Sequence, residues 1–285
     1  MYRIKEVGGA PGGEAFLIMT GTAAALLDSG FSFSAERMIE NIKKELRGRP
    51  LDYVLLTHSH YDHASGSTYV RDAWPNAIIA GSAYAAGVFK KPTAVAVMRE
   101  MNDNAASLAG VRDYEDKLDS LRIDRIVGEG DTIDLGPLKF RVIEAPGHTR
   151  CSIAFFEETE KLLLSCETLG VRAARRMVAP AYLVGYRISM ESNKKLAATG
   201  AQSILVPHQG ILEGEACAQF IEDALYWNEE VMRRVTDGYR AGKTIEQLAE
   251  EYTALFYTPM LAKVQPKKAF LLNLSYMLPM LLKEM

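Results

Sequence analysis

The sequence has few cysteines, and they follow no pattern. Cys151, Cys166 and Cys217 are the only three among 285 residues. Their spacing offers neither a disulfide framework nor a CxxC metal motif. The first residues, MYRIKEVGG, contain no apolar stretch of the kind found in signal peptides. We therefore expect reduced thiols in a cytoplasmic protein.

Long apolar runs and basic runs are missing as well. The longest apolar stretch, residues 270–282, is interrupted by Asn273, Ser275 and Pro279. It is shorter than the roughly 20 apolar residues that span a bilayer. The 33 basic residues are dispersed among 36 acidic ones, which leaves a net charge of -3. We expect neither a membrane nor a nucleic acid as a partner, but a small-molecule substrate.

The chain has the composition and patterning of an α/β fold. Short apolar strands such as Tyr53 to Leu56 alternate with amphipathic helices such as Ser34 to Leu46. We expect a core over residues 1–212, a helical lid inserted at about residues 90–121, and a C-terminal helical subdomain over residues 213–285. The last helix is apolar on all sides, so we expect it to pack on the core and lid or to form a homodimer contact.

The most informative segment, THSHYDH, directly follows a buried strand. It places His58, His60, Asp62 and His63 within six positions. Loops that leave the carboxyl ends of strands commonly carry the chemistry of α/β proteins. Imidazole nitrogens and carboxylate oxygens suit zinc and other borderline divalent ions. His58 and His60 are spaced to reach one ion, and Asp62 and His63 to reach a second.

The chain has only two other histidines. His148 stands in the segment APGHT and His208 in VPHQG, and each follows a predicted strand. A lone histidine after a strand is more often an ordinary surface or capping residue. Because no histidine falls anywhere else, we expect all five to meet at one site.

The ordered segments HSHYDH, PGHT and PHQG resemble the motif set of the metallo-β-lactamase superfamily over about residues 2–212. The Asp28-Ser29-Gly30 turn also resembles that family's framework. The resemblance implies a four-layer αββα metallo-β-lactamase sandwich with a helical insertion and a helical C-terminal subdomain. It also implies two divalent metal ions, with zinc as the family default and iron or manganese as alternatives. The implied ligands are His58, His60 and His148 for the first ion and Asp62, His63 and His208 for the second.

The sequence departs from the family at the bridging ligand. The family usually has an aspartate in the turn after the strand predicted here at Leu162 to Ser165. This chain has Ser165-Cys166-Glu167 instead, so Glu167 is the expected bridge, with a longer reach. We expect Cys166 to be a buried structural thiol. In the flavin-linked di-iron members of the family, glutamate replaces the second histidine of the motif, so His60 favours zinc.

The resemblance implies hydrolysis of an acyl substrate, a thioester, a lactone or a related compound. Two ions that share a water lower its pKa from about 15.7 to near 7, and the bridging hydroxide attacks the carbonyl. We expect Asp62 to be both a ligand and the catalytic group that orients the nucleophile and shuttles its proton. The alternative is a di-iron protein of the same fold that binds or reduces oxygen.

Several residues near these motifs have two interpretations. Tyr182 and Tyr186 are candidates for substrate binding, although a tyrosine after a strand more often packs in the core. Thr57, Ser59 and Thr149 are placed either to orient metal ligands or to cap local turns. The basic residues Arg172, Arg175 and Arg176 either recognise an anionic substrate or form a solvated face.

Overall fold

The computed structural model describes residues 1–285, which form two compact units, Met1–Ile143 and Glu144–Met285. The predicted division into residues 1–212 and 213–285 follows a change in composition, and it stays a prediction. No helix combines the length and the apolar composition needed to cross a bilayer.

The first unit is built on a six-stranded mixed sheet. The strands lie in chain order: β1 (Arg3–Glu6), β2 (Phe16–Met19), β3 (Ala24–Leu27), β4 (Tyr53–Leu55), β5 (Ile78–Gly81) and β6 (Arg125–Ile126). β1, β2 and β3 pair antiparallel, and β3 to β6 pair parallel. Every residue of β2 and β3 is buried, which explains why these strands are apolar throughout and do not alternate. An antiparallel hairpin follows, β7 (Thr132–Asp134) and β8 (Lys139–Glu144).

Five helices accompany the strands of this unit: α1 (Ala35–Leu46), α2 (Tyr61–Ala64), α3 (Ser67–Ala73), α4 (Ala83–Phe89) and α5 (Pro92–Leu108). The apolar residues at helical spacing in α1 are Met38, Ile39, Ile42 and Leu46; all are buried except Ile39, which is partly exposed. The helix ends at Arg47, which adopts a left-handed conformation with φ of 52°.

The predicted lid contains one long helix, α5, and a buried asparagine fastens it to the rest of the unit. Asn102 is fully buried. Its Oδ1 accepts a hydrogen bond from the Ser32 N–H (2.9 Å), and its Nδ2 donates to Ser65 Oγ (2.9 Å). Since Ser65 directly follows α2, the middle of α5 is bonded to the segment that carries the first histidines.

The carboxylate of Asp124, the residue before β6, is hydrogen-bonded to β5 and α3. It accepts hydrogen bonds from the Ile79 N–H (3.1 Å) and from the guanidinium of Arg71 (3.0 Å). Burial alone would raise the pKa of Asp124, but these hydrogen bonds and one from Arg122 lower it below the usual value. The ionised carboxylate therefore stabilises this edge of the sheet.

The second unit contains a four-strand run, a small hairpin and four helices. In chain order these are β9 (Ile153–Glu157), β10 (Leu162–Leu164), β11 (Val171–Ala174), β12 (Met177–Ala179), α6 (Tyr186–Ala197), β13 (Ser203–Val206), β14 (Gly210–Glu213), α7 (Glu215–Arg240), α8 (Ile245–Phe256) and α9 (Lys267–Lys283). The run has the order β14-β13-β10-β9, with β10 and β13 parallel and the other pairs antiparallel. Thr244 and Gln247 form a capping box at the start of α8.

Two of the arginines between Glu167 and α6 hold the β11–β12 hairpin on α7. Arg176 Nε lies 2.7 Å from Asp223 Oδ1, and Arg172 Nη1 lies 3.5 Å from Asp223 Oδ2. Asp223 is 3% exposed, whereas the side chains of Arg172 and Arg176 are 15% and 59% exposed, so only the pair with Arg172 is largely shielded from solvent. Both arginines thus contact α7, and the exposure of Arg176 also agrees with a solvated face, while recognition of an anionic substrate by the basic run stays a prediction.

The C-terminal helices share a hydrophobic core with the β11–β12 hairpin. α7 contributes Val231 and Val235, α8 contributes Leu248, Tyr252 and Phe256, and α9 contributes Phe270, Leu274, Met277, Leu278 and Leu281. On α9, Leu271 and Tyr276 face solvent with 43% and 58% exposure. One face of the helix thus packs within the unit, and a homodimer contact through the other stays a prediction.

Candidate metal centre

Four of the predicted ligands lie in the first unit: His58 and His60 on the short loop that follows β4, and Asp62 and His63 on α2. His58 is fully buried and His63 is 2% exposed. A ring nitrogen of His58 lies within 4.8 Å of one of His60, and a carboxylate oxygen of Asp62 lies within 4.8 Å of a ring nitrogen of His63. The loop continues directly into α2, whose first residues position Asp62 and His63. It therefore presents two pairs of donors.

Asp28 orients the imidazoles of this loop. Its Oδ2 lies 2.8 Å from His63 Nδ1 and 2.8 Å from Thr57 Oγ1, and its Oδ1 accepts the Thr57 N–H at 2.8 Å. Thr57 Oγ1 in turn lies 3.0 Å from His58 Nδ1. A carboxylate only accepts, so His63 Nδ1 and the Thr57 hydroxyl donate to it, and the Thr57 oxygen then accepts from His58 Nδ1. In the neutral imidazoles this arrangement favours the tautomer with its hydrogen on Nδ1, in which Nε2 can bind a metal ion.

The backbone also joins the Asp28 turn to the histidine loop. The Ser29 N–H and Ser29 Oγ both donate to the His63 carbonyl, at 2.7 and 2.8 Å. The Gly66 N–H donates to the Gly30 carbonyl at 3.1 Å. A Cβ on Gly66 would lie 2.0 Å from the Ser29 carbonyl oxygen, so only glycine permits this close approach.

The other three predicted ligands lie in the second unit, with Glu167 at the centre. This residue follows β10 in a single 3₁₀ turn and is 4% exposed. Its Oε2 lies 2.9 Å from His148 Nε2, and its Oε1 lies 3.3 Å from His208 Nε2. Each oxygen of one carboxylate therefore faces a different histidine. This placement is compatible with a carboxylate that contacts two metal ions, and bridging by Glu167 stays a prediction.

Thr168, the residue after Glu167, contacts the turn that carries His148. Thr168 Oγ1 donates to the Ala145 carbonyl at 2.6 Å. A Cβ on Gly147 would lie 2.6 Å from Thr168 Cγ2 and 2.7 Å from Ser189 Oγ, so the turn packs tightly against both. The glycine of the PGHT segment is therefore needed for packing.

His208 sits in the tight turn between β13 and β14. Its φ is 62°, a left-handed conformation that non-glycine residues seldom adopt. The Gln209 N–H closes the turn on the Val206 carbonyl at 3.2 Å. Strained backbone of this kind is found mainly where function holds a side chain in place.

The tyrosines predicted to bind substrate differ in their surroundings. Tyr182 is 1% exposed, and its hydroxyl donates to the Asn228 carbonyl. Burial raises the pKa of Tyr182 far above its usual value. Tyr182 is therefore a core residue, and its hydroxyl already has an acceptor. Tyr186 packs edge-on against it with ring centroids 5.7 Å apart, and its role in substrate binding stays a prediction.

Thr57 and Thr149, each predicted either to orient a metal ligand or to cap a turn, have different surroundings. Thr57 contacts the proposed ligand His58, whereas Thr149 Oγ1 lies 2.7 Å from Ser152 Oγ in a local turn. Cys166 is 1% exposed, as expected for a structural thiol.

Sequence reasoning missed Asp28 as an orienting residue, although β3 and β4 are parallel neighbours and the residues after them lie at the same edge of the sheet.

The donor set suits divalent metal ions. It consists of imidazole nitrogens and carboxylate oxygens; four of the seven residues are buried and the other three are partly exposed. The Nδ1 atoms of His63 and His58 are hydrogen-bonded to Asp28 and Thr57. Such ligands are typical of zinc and of other borderline divalent ions. In each unit the residues present therefore fit a bound metal.

Comparison with known proteins agrees with this chemistry. A family model described as "Metallo-beta-lactamase superfamily" matches residues 8–208, a range that contains all seven predicted ligands. A hydroxyacylglutathione hydrolase from Nitrobacter winogradskyi is 27% identical over 135 residues, which are 47% of this chain and 40% of that protein. The chain thus matches less than half the length of that relative.

Two further proteins match over more of their length. A metallo-beta-lactamase fold-containing protein from Sulfurisphaera tokodaii is 24% identical over 207 residues, which are 70% of this chain and 76% of that protein. The crystal structure of a metallo-beta-lactamase family protein from Thermus thermophilus has a TM-score of 0.64 at 20% identity and covers 96% of this chain and 92% of its own. At this identity the structural match concerns the fold alone.

Proposed function

Because the chain belongs to the metallo-beta-lactamase superfamily, we propose that it is a dinuclear metal-dependent hydrolase of acyl compounds, with thioesters and lactones as its substrate class. The same membership confirms the predicted fold class, an α/β sandwich with a helical C-terminal region. We also propose a cytoplasmic location, in keeping with three buried cysteines that form no disulfide.

One observation carries the proposal, the position of Glu167 between two histidines. Its two oxygens face His148 Nε2 and His208 Nε2 at 2.9 and 3.3 Å. We propose that Glu167 bridges two ions, with zinc as the family default, in place of the usual aspartate. His58, His60 and His148 would hold the first ion, and Asp62, His63 and His208 the second.

A pair of divalent ions supplies an acidified water and polarises a carbonyl oxygen. The residues of the chain provide the rest. Asp28 and Thr57 keep His63 and His58 in the tautomers that bind metal. The Asp62 carboxylate, with 16% side-chain exposure, is the proposed proton acceptor, because it is the acidic group of the loop with access to solvent.

The reaction balances without a further reactant. Water adds to the acyl carbon, and the bond from that carbon to sulfur or oxygen breaks. The departing thiol or alcohol takes a proton that Asp62 has received from the water. An acyl substrate is supported by the relatives named hydroxyacylglutathione hydrolase, at 27% identity over part of the chain.

The test begins with elemental analysis of protein purified without added metal. A panel of thioesters, lactones and phosphodiesters then follows. We expect about two zinc equivalents per chain and hydrolysis of thioesters or lactones that His60→Ala abolishes. Tyr239→Ala, which removes a 48% exposed ring from α7, is the control and should retain the activity.

Other outcomes would count against hydrolysis. Iron in the purified protein, with absorption in the visible range and no hydrolysis of any substrate, would favour the alternative of a di-iron redox protein. Hydrolysis that persists in His60→Ala would show that the metal loop is not the reacting centre.

A further inference from the structure

Helix α6 and the segment before it hold the turn that carries His148. The Ser192 hydroxyl of α6 donates to the Pro146 carbonyl at 2.6 Å. The Val184 N–H, which lies two residues before α6, donates to the Gly147 carbonyl at 3.0 Å. Pro146 and Gly147 directly precede His148 in the chain. The backbone of this proposed metal ligand is therefore bonded to α6 at two points.

The first turn of α6 has no capping side chain of its own. Its N-cap residue is Gly185, which has no side chain to accept a hydrogen bond, and the first turn contains no acidic residue. At most helix starts, the oxygen of a Ser, Thr, Asp or Asn side chain accepts from the N–H groups of the first turn. Helix ends fray at little cost in free energy. The start of α6 therefore depends on an acceptor from elsewhere in the chain.

Glu284, the residue after α9, supplies this acceptor. Its Oε2 accepts the N–H of Arg187 at 2.8 Å. Arg187 is the second residue of α6, one of the two positions that a capping oxygen normally contacts. A Cβ on Gly185 would lie 2.3 Å from Glu284 Oε1, so the glycine leaves the space that the carboxylate occupies. A negative charge at this end of the helix also interacts favourably with the helix dipole.

We propose that Glu284 is a positioning residue for the metal site: its carboxylate caps α6, and α6 holds the turn of His148 through Ser192 and Val184. The proposal rests on the proposed function, since it takes His148 as a metal ligand. When the first turn of α6 opens, the hydrogen bond from Val184 to the turn is lost, and the imidazole of His148 is less often in place for an ion. The end of α9 thus stabilises the site without supplying a ligand.

Amide hydrogen exchange of protein stripped of metal tests the link between the cap and the turn. We expect Glu284→Ala to lower the protection of the Arg187 and Val184 N–H groups about 2- to 30-fold, which corresponds to ~0.5–2 kcal/mol for a lost cap. Glu284→Gln keeps an oxygen that can accept the Arg187 N–H and should restore part of the protection. Glu250→Ala, the same change at an exposed position of α8, is the control. Protection that falls at Arg187 but not at Val184 would show a purely local cap and overturn the proposal.

Competition with a chelator for zinc tests the effect on the site itself. We expect Glu284→Ala to weaken the binding of one ion at least about twofold, the lower end of the range for a lost cap. Glu284→Gln should be intermediate, and Glu250→Ala should match the wild type. Ser192→Ala removes the bond to the Pro146 carbonyl directly and should weaken the same ion about 2- to 13-fold, which corresponds to ~0.5–1.5 kcal/mol for one hydrogen bond. Wild-type metal affinity in Glu284→Ala would overturn the proposal.

Combining the two substitutions tests the route through α6. If Glu284 acts on the turn through this helix, Glu284→Ala should cost less metal affinity in a Ser192→Ala background than in the wild type. Equal losses in both backgrounds would contradict the proposal.

The exchange experiment separates this proposal from the proposed function, because it needs neither metal nor substrate. Lowered protection of Val184 in Glu284→Ala supports the link between Glu284 and the His148 turn even if the protein hydrolyses no acyl compound, an outcome that would count only against the hydrolase function. Hydrolysis together with unchanged Val184 protection in Glu284→Ala would reject the positioning role and leave the hydrolase function standing.

Discussion

Replacing Asp28 by asparagine tests how the metal loop is organised. Asp28 is 4% exposed and accepts hydrogen bonds from Thr57 and from His63 Nδ1. Asparagine keeps one oxygen for the Thr57 donors, but its NH₂ group would face His63 Nδ1. Because two donors cannot pair, His63 would move its hydrogen to Nε2 and present Nδ1 to the amide. The nitrogen needed for the metal ion would then carry a proton.

The size of the effect follows from one lost hydrogen bond. A hydrogen bond to a charged group contributes about 1.5–3 kcal/mol. Loss of a residue that orients a metal ligand typically weakens metal binding about 10- to 100-fold, or about 1.4–2.7 kcal/mol. The two ranges agree, so we expect Asp28→Asn to bind the ion held by His63 about 10- to 100-fold more weakly.

Competition with a chromophoric chelator measures the affinity, and nitrogen NMR of the imidazoles reports the tautomer of His63. Asp52→Asn is the matched control, because Asp52 Oδ2 accepts only the Ala24 N–H (2.8 Å) and an amide oxygen can replace it. Wild-type metal affinity in Asp28→Asn, or an unchanged His63 tautomer, would refute the reasoning. An equal loss in Asp52→Asn would show that the effect is a general loss of stability.

Three further substitutions probe the surroundings of the site. Gly147→Ala would bring a methyl group within 2.6 Å of Thr168 Cγ2, so we expect a loss of about 1–3 kcal/mol in urea denaturation and weaker metal binding. Tyr182→Phe removes the hydrogen bond to the Asn228 carbonyl and should cost about 1 kcal/mol of stability, while kcat/KM stays unchanged; a selective loss of kcat/KM would instead restore a substrate role. Asp124 has a lowered pKa in the folded state, so its stabilisation is present above the unfolded pKa of about 3.9 and is lost as the pH falls through the folded value. Urea midpoints should therefore show Asp124→Asn to be destabilising at pH 7, and the difference from the wild type should shrink steadily as the pH falls below about 4.

The parts of the fold that the sequence predicts are those with strong local patterns. The helix predicted over Ser34 to Leu46 is observed as α1 (Ala35–Leu46), and the region predicted to be helical over residues 213–285 contains three long helices. The histidine loop is recognisable because four donors are contiguous in the chain. Glu167 could be selected only through the family resemblance, since a single glutamate after a strand carries no signal of its own.

The elements that were missed depend on tertiary contacts. β1 is mostly polar and exposed, and it is a strand only because it pairs along β2. The β11–β12 hairpin contains three arginines in its range and turn, so its sequence resembles a solvated face. Its stability depends on Asp223, which lies about 50 residues further along the chain. Long-range pairs of this kind leave no periodic trace in the sequence.

The most direct test of the central claim is the metal content of Glu167→Gln beside that of Glu157→Gln, which changes another buried carboxylate of the second unit. If Glu167 bridges two ions, the wild type and Glu157→Gln should each retain about two equivalents of metal per chain after dialysis, and Glu167→Gln should retain one or fewer. Two tightly held equivalents in Glu167→Gln, or none in the wild type, would contradict the account.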